Sequence, residues 1–365
     1  MTAPTVRSNR TLAVRLDSDG DVLLTAPALR ALRAGSGRLD LLVSPSGRQA
    51  AALLPDIDEV IVFDAPWTGT DPSPVSPRAV EHLVARLSSA AYDDVVIFTS
   101  FHQSALPMAL LARLGGARRV SATSEEYPGS LLDVRHRRMP LGAPDLGGAA
   151  GGHEVEAMLA LADAAGFPLP ADDDARLRLV PLPAPTRPEL RIGRPYVVLA
   201  PTASVPARSL GDLASRRIAD RLAADGWTVV VTGAPTGPAP SRRVVPRGGV
   251  DLVGQTTLAE LAQVLAGAHC AVTVNSGPGH LAAAVGTPVV SLFAPVVPPE
   301  RWAPWGVPSE VLGDRLAACH GSRARTCPVP GHPCLDGIDP ADVAAAVARL
   351  VGSPTAAATA LEVAR

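Results

Sequence analysis

Two runs of alternating strand and helix text, divided by a proline-rich segment, limit this chain to a narrow set of folds. In the first run, short apolar stretches at residues 11–16, 39–43, 60–63, 95–98 and 119–122 read as buried strands. Between them, residues 21–33 place Leu24, Ala28 and Leu32 on one helical face, and 77–87 and 105–114 have the same spacing. Strands that alternate with helices in this way predict a parallel sheet covered on both faces. A loop is expected at 140–152, a helix at 154–165, and a linker at 168–195 that carries seven prolines. The rhythm then restarts, with strands at 196–200, 228–232, 271–274 and 288–293. The helices of this second run fall at 210–225, 257–265 and 339–351. A length of 365 residues exceeds one ordinary core. The expected division is therefore a domain at 1–185, a second at 186–350 and a flexible tail at 351–365.

Parallel α/β domains bind ligands beyond the C-terminal ends of their strands, so the segments that follow the strands carry the chemistry. The most telling is Val272-Thr-Val-Asn275-Ser276-Gly277-Pro278-Gly279-His280-Leu281. An apolar run stops at a polar corner, a small-residue helix is expected from His280, and a second buried strand follows. Gly277 and Gly279 let the backbone approach a ligand, while Pro278 fixes one dihedral and removes a donor. Strand, glycine-rich turn and helix N-terminus together form a phosphate-binding layout. A tight turn that binds nothing is the alternative.

Three other segments share the position. In Pro201-Thr202-Ala-Ser204-Val-Pro-Ala-Arg208, two hydroxyls can donate to phosphate oxygens and Arg208 can pair with a pyrophosphate; a solvated loop is the plain reading. In Arg15-Leu-Asp-Ser-Asp-Gly-Asp21, a buried strand exits into an acidic turn at the positive end of a helix. Simple N-capping by Asp19 or Asp21 competes with a catalytic role there. The literal Asp17-Ser18-Asp19 matches a divalent-ion motif of some sugar transferases, but that motif lies mid-chain in another fold, and no metal is expected. In Val253-Gly-Gln-Thr-Thr-Leu-Ala-Glu-Leu261, Thr256 reads as the N-cap of a helix on the same crevice edge.

Other classes drop out. A net charge of −2 argues against nucleic acid as the main partner. The 33 basic residues are all arginine, so a phosphate-binding loop that needs lysine is excluded, and neither GxGxxG nor GxSxG opens a suitable βα unit. Residues 1–10 have no apolar signal core, and no apolar run reaches the ~18–20 residues that span a bilayer. A cytoplasmic protein is expected, with at most peripheral membrane contact. Cys319, Cys327 and Cys334 lack paired CxxC spacing and read as a structural thiol cluster, with a metal site or a disulfide as alternatives. Arg113, Arg118, Arg119, Arg135, Arg137 and Arg138 read as a solvated face, or alternatively as a surface for an anionic acceptor.

Taken together, the segments at 16–29, 201–208 and 275–290 resemble glycosyltransferase family nine, the ADP-heptose heptosyltransferases of GT-B architecture. Thr256-Thr257-Leu-Ala-Glu-Leu261 and Cys327-Pro-Val-Pro-Gly-His-Pro-Cys334 also fit. The resemblance implies an α/β fold of two tandem Rossmann-like, doubly wound domains facing each other across a cleft. The first would bind the acceptor, a glycan or small molecule, and the second the nucleotide-sugar donor. It further implies an inverting transferase without metal or cofactor, with ADP-heptose as the default donor. Asp21 would be the general base and Arg208 the partner of the pyrophosphate. Thr202, Ser204, Thr256 and the Asn275-to-His280 turn would complete the donor site, with backbone donors from Ser276 to His280 on the leaving diphosphate. The chain departs from the family pattern at Asn275, where aspartate is usual, at Leu210-Gly211 and at Thr236-Gly237-Pro238. These departures leave the sugar and the base open. A nucleotide-sugar hydrolase or epimerase, or a non-catalytic binding protein, would share the phosphate turn but not the need for Asp21.

Overall fold

A computed structural model of the chain describes residues 7–354 apart from 70, 101–102, 139–151, 235–239 and 241. Nearly all of the expected 140–152 loop, Thr236-Gly237-Pro238 and the tail beyond 354 lie outside the described residues. The chain forms two compact units, Met1–Val180 and Pro181–Arg365. Hydrogen bonds on either side account for the position of the break, which lies slightly before the expected one. Val180 N–H donates to Leu53 of the first unit at 2.8 Å, whereas Pro183 and Arg187 are bonded to Gln263 and Gln255 of the second.

The first unit runs β1 (Ser8–Arg15), α1 (Asp19–Leu24), α2 (Ala26–Ala34), β2 (Ser36–Val43), α3 (Arg48–Ala51), β3 (Glu59–Val62), α4 (Pro77–Ala90), β4 (Asp94–Phe98), α5 (Leu106–Leu114), β5 (Arg119–Thr123), β6 (Val134–His136) and α6 (Glu154–Ala164). Its six strands are all parallel, in the order β3-β2-β1-β4-β5-β6. The expected helix at 21–33 is split at Thr25. Pro27 has no N–H for the Leu23 carbonyl, and the Thr25 hydroxyl donates to the Asp21 carbonyl at 2.9 Å. Short β6 has only half-buried residues, which is why no apolar run announces it.

The second unit runs β7 (Tyr196–Ala200), α7 (Asp212–Ala224), β8 (Thr228–Val231), β9 (Val250–Asp251), α8 (Leu258–Ala266), β10 (Cys270–Val274), α9 (Gly277–Ala284), β11 (Val289–Leu292), α10 (Pro299–Trp302), β12 (Ser309–Leu312), α11 (Pro333–Asp336) and α12 (Pro340–Val351). This sheet is again parallel, in the order β12-β11-β10-β7-β8-β9. Valine, leucine and alanine fill both cores, as a chain with 3% aromatics requires.

In each sheet the chain winds outward from one central strand, then returns to the other side. The reversal lies between β1 and β4 in the first sheet and between β7 and β10 in the second. Crevices beyond strand C-termini at such reversals are where doubly wound folds bind ligands. Among the described residues no helix is long and apolar enough to cross a membrane.

Candidate active site

The second unit brings two of the expected segments together. Thr273 of β10 pairs with Ala200 of β7, so the Asn275–His280 turn and the Pro201–Arg208 loop leave neighbouring strands at one sheet edge. Helix α9 begins at Gly277, with Ser276 as its N-cap, and not at His280. Three residues expected to form a loop thus supply the first helical turn, which brings its N–H groups closer to β10. The first turn of a helix leaves N–H groups without intrahelical acceptors and carries the positive end of the helix dipole, although here the Gly279 N–H donates to the Ser276 carbonyl at 3.0 Å. Pro278 removes one of those donors. Ser276, Gly277 and Pro278 are half-buried, whereas Asn275, Gly279 and His280 are buried.

Gly279 is fixed by packing. A Cβ there would lie 2.8 Å from Thr273 Oγ1, so α9 sits on β10 only because this residue has no side chain. Asn275 Nδ2 is buried and has no hydrogen-bond partner among the described residues, and the same holds for Thr232 Oγ1 just after β8. Buried polar groups are nearly always bonded. Two such atoms at the ends of strands flanking β7 mark a place where a polar ligand would complete the bonding. Thr232 was missed because a threonine at the end of an apolar run reads as part of the strand.

Thr202 is half-buried and Ser204 exposed on the loop after β7, and Arg208 ends a single 3-10 turn, Pro206–Arg208. The loop is strapped from several sides. Ala203 N–H donates to Ser209 Oγ at 2.9 Å, Ala207 N–H to the Arg325 carbonyl at 2.9 Å, and Gly211 N–H to Asp336 at 2.8 Å. The 325–336 segment therefore shapes the loop that carries Arg208, a role with no local signal in either stretch.

Thr256 is not the N-cap of α8. Thr257 fills that role: its hydroxyl accepts from Glu260 N–H at 3.2 Å, and Glu260 Oε2 accepts from Thr257 N–H at 2.8 Å. This reciprocal box needs glutamate three residues on, and only Thr257 has it. Thr256 stands half-buried one residue outside the helix.

In the first unit the acidic turn after β1 surrounds a buried cation. Arg15, the last residue of β1, is 1% exposed. Its Nε lies 3.0 Å from Asp17, and Nη2 lies 3.1 Å from Asp21 and 3.9 Å from Glu154. Nη2 also donates to Ser100 Oγ at 3.1 Å. Glu154, fully buried at the start of α6, takes a bidentate pair from Arg138 at 2.6 and 3.0 Å. Burial alone would lower the Arg15 pKa, but Asp17, Asp21 and Glu154 outweigh it and raise it.

The three aspartates of the turn have different tasks. Asp19 accepts from Ala50 N–H at 2.8 Å and so holds the start of the Arg48–Ala51 helix, not α1. Asp21 Oδ2 accepts from the Ser18 N–H at 3.3 Å and the Ser18 hydroxyl at 2.8 Å, and its side chain is 22% exposed. Asp17 is 8% exposed and accepts from Gln103 Nε2. Burial, aided by the charge of Asp21 and opposed by Arg15, pushes the Asp17 carboxyl up to about 6.

A folded pKa above the unfolded one means that ionising Asp17 costs stability. That cost is absent below about pH 4, grows as pH rises, and is complete above about pH 6. Asp17→Asn should therefore melt above the wild type at pH 7 and 8, with the gap closing below about pH 4. Calorimetric scans across that range test this; a variant that melts lower at every pH contradicts it.

The arginine group of the first unit is largely committed to its own fold. Arg113 pairs with Asp133, Arg118 with Asp93 and Arg138 with Glu154, and Arg135 donates to the Ser124 and Glu125 carbonyls. The four cysteines are free thiols. Cys319 and Cys334 are buried in the second core with Cys327 packed against it, and burial pushes the Cys334 thiol up to about 12. Among the described residues no group of three or more His, Cys, Asp or Glu side chains is arranged to hold a metal ion.

Sequence comparison matches residues 81–331 to glycosyltransferase family 9 (heptosyltransferase), a span that holds every donor-site candidate but begins after Asp21. The chain is 31% identical over 299 residues to lipopolysaccharide heptosyltransferase 1 of Pseudomonas aeruginosa, covering 79% of each protein. Among solved structures, a glycosyl transferase family 9 protein from Veillonella parvula superposes with a TM-score of 0.70 at 17% identity, covering 96% of this chain and 98% of that one. The E. coli heptosyltransferase WaaC with ADP-2-deoxy-2-fluoro heptose gives a TM-score of 0.61 at 20% identity, covering 83% and 93%. Two six-stranded parallel sheets with these structural relatives define an α/β GT-B fold.

Proposed function

Because the chain belongs to glycosyltransferase family 9, a family of nucleotide-sugar transferases, we propose that it moves a sugar from a nucleoside-diphosphate donor to an acceptor hydroxyl with inversion and without a metal. The observation that carries this reading is the strand adjacency in the second sheet. It sets a helix N-terminus and the arginine-bearing loop side by side at the topological reversal.

In this reading the second unit holds the donor. Backbone donors at the start of α9, those of Ser276 and Gly277 foremost because the Gly279 N–H is bonded to the Ser276 carbonyl, act with Arg208 to stabilise the diphosphate as negative charge develops on it during departure. Thr202, Ser204 and Thr256 border the same sheet edge, and Asn275 and Thr232 supply buried donors. The first unit supplies the acceptor site and the base: Asp21 takes the acceptor proton as that oxygen attacks the anomeric carbon opposite the leaving group. Positive charge from protein groups does for the leaving group what a divalent ion does elsewhere. The WaaC structure holds an ADP sugar, and ADP-heptose is the donor proposed here, with a glycan or small molecule as acceptor. A hydrolase or epimerase of nucleotide sugars is the less favoured reading, since it needs a second carboxylate facing the sugar and the first position of the Asn275–His280 turn carries an amide.

A thermal-shift screen against ADP-, GDP-, UDP- and dTDP-sugars, followed by a transfer assay with and without EDTA, tests the proposal. A donor present at a hundred times its Kd stabilises its unit by about 2.7 kcal/mol. The expected result is one responding nucleotide, ADP, and turnover that survives the chelator. No response from any nucleotide sugar defeats the reading, and loss of turnover in EDTA defeats its metal-free form.

A further inference from the structure

We propose that Asp17 is a positioning residue for Asp21: by holding the Nε edge of Arg15, it keeps that guanidinium from neutralising Asp21 outright. The inference rests on the reading of Asp21 as the base and deepens it.

The geometry of the cluster carries the case. Arg15 divides its charge among Asp17 at 3.0 Å, Asp21 at 3.1 Å and Glu154 at 3.9 Å. With Arg138 on Glu154, three carboxylates face two guanidinium groups, an excess of one negative charge. Asp17 is clamped from its far side by Gln103, and the carbonyl of the same residue accepts from Ser44 Oγ at 2.7 Å. It is thus held against Arg15 and shielded from any substrate. Asp21 is the more exposed of the two.

Other charged and polar groups near the cluster have tasks of their own. Asp19 is turned to the start of α3, and the Ser100 hydroxyl, a neutral group, accepts from Arg15. Ser18 bonds Asp21 Oδ2, and Arg138 is spent on Glu154 and the Thr99 carbonyl. Only Asp17 and Glu154 compete with Asp21 for Arg15, and Glu154 is the more distant.

The sign follows from electrostatics. A nearby negative charge raises the proton affinity of a carboxylate, and an undivided guanidinium lowers it. With asparagine at 17, Asp21 loses a like charge and gains a larger share of Arg15. Above about pH 6, where Asp17 of the wild type is ionised, Asp21 is thus the weaker base in the variant, and a weaker base accepts a proton less well in the transition state. The fold also retains an ionised Asp17 at a cost to stability above about pH 6, which is the pattern expected of a residue kept for function.

The test reads the charge of Asp17 through turnover against pH. Carboxyl 13C titration locates the ionisation of Asp17, and kcat is measured from about pH 5 to 9 in the wild type, Asp17→Asn and Asp17→Glu. The expected result is a several-fold fall in kcat for Asp17→Asn above about pH 6, where Asp17 of the wild type is ionised, a gap that closes as pH falls through the Asp17 midpoint, and recovery of kcat in Asp17→Glu. Equal kcat in the wild type and a folded Asp17→Asn chain above that midpoint, or a deficit of the same size at every pH, overturns the inference. Full turnover in Asp21→Asn overturns instead the reading of Asp21 as base, so the two failures are distinct.

Discussion

Replacing Asp21 with asparagine should lower kcat at least a hundredfold and leave the dissociation constant for ADP unchanged. A positioned general base contributes about 10²–10⁴ in rate, and asparagine keeps the size of aspartate while losing its proton affinity. The fold tolerates the change. The side-chain oxygen of asparagine still accepts from Ser18, whose N–H and hydroxyl both reach Asp21 Oδ2. Arg15 keeps Asp17 at 3.0 Å and Glu154 at 3.9 Å, so no buried cation is orphaned, the event that makes most broken ion pairs costly. ADP binding is assigned to residues 202–280 of the other unit and has no reason to respond. Single-turnover transfer kinetics and titration calorimetry with ADP measure the two quantities. Turnover within tenfold of the wild type ends the assignment of Asp21 as base. Loss of ADP affinity alongside turnover ends the division of labour between the two units.

The position of Asp21 was legible as a candidate because a carboxylate just after a buried strand, at a helix start, occupies the place where parallel sheets do chemistry. Its partners were not. Arg15 lies inside the run read as a buried strand, where nothing local says that its charge is paired. An arginine near the end of an apolar strand nevertheless requires a carboxylate somewhere, and that requirement was the available signal. Glu154 and Arg138 reach Arg15 only through the tertiary fold, and no spacing rule connects them.

The strands show the same boundary between local and non-local information. The central strands β1, β4, β7 and β10 are buried on both faces and therefore carry continuous apolar runs. The edge strands β6, β9 and β12 have half-buried or exposed residues and owe their extended form to a neighbour's backbone. At the Asn275–His280 turn the sequence marks the end of β10, but α9 starts three residues before the expected His280. Glycine and proline text suggests a loop, yet proline suits the first turn of a helix and Gly279 is required there by contact with β10.

That contact sets the second large effect. Gly279→Ala should lower the stability of the second unit by about 1–3 kcal/mol, the usual cost of overpacking, and weaken ADP binding tenfold or more. Intrinsic helix propensity points the other way, since alanine in place of glycine within a helix gains about 1 kcal/mol, so the sign alone separates the two effects. Packing should win. The added Cβ would lie 2.8 Å from Thr273 Oγ1, an atom on a β-branched, fully buried side chain with little freedom to turn away. Helix α9 must then lift from β10, carrying with it the N–H groups proposed to hold the diphosphate. Thr273→Ala removes the obstructing oxygen, leaves the Cβ of residue 273 at 3.8 Å from the added methyl, and breaks no hydrogen bond among the described residues. The double variant should therefore recover most of the lost ADP affinity. Melting curves and ADP calorimetry on the four chains of this cycle give the coupling between the two positions. If Gly279→Ala stabilises the unit, or the double variant binds ADP as weakly as Gly279→Ala alone, close packing of α9 on β10 is not what places the phosphate turn.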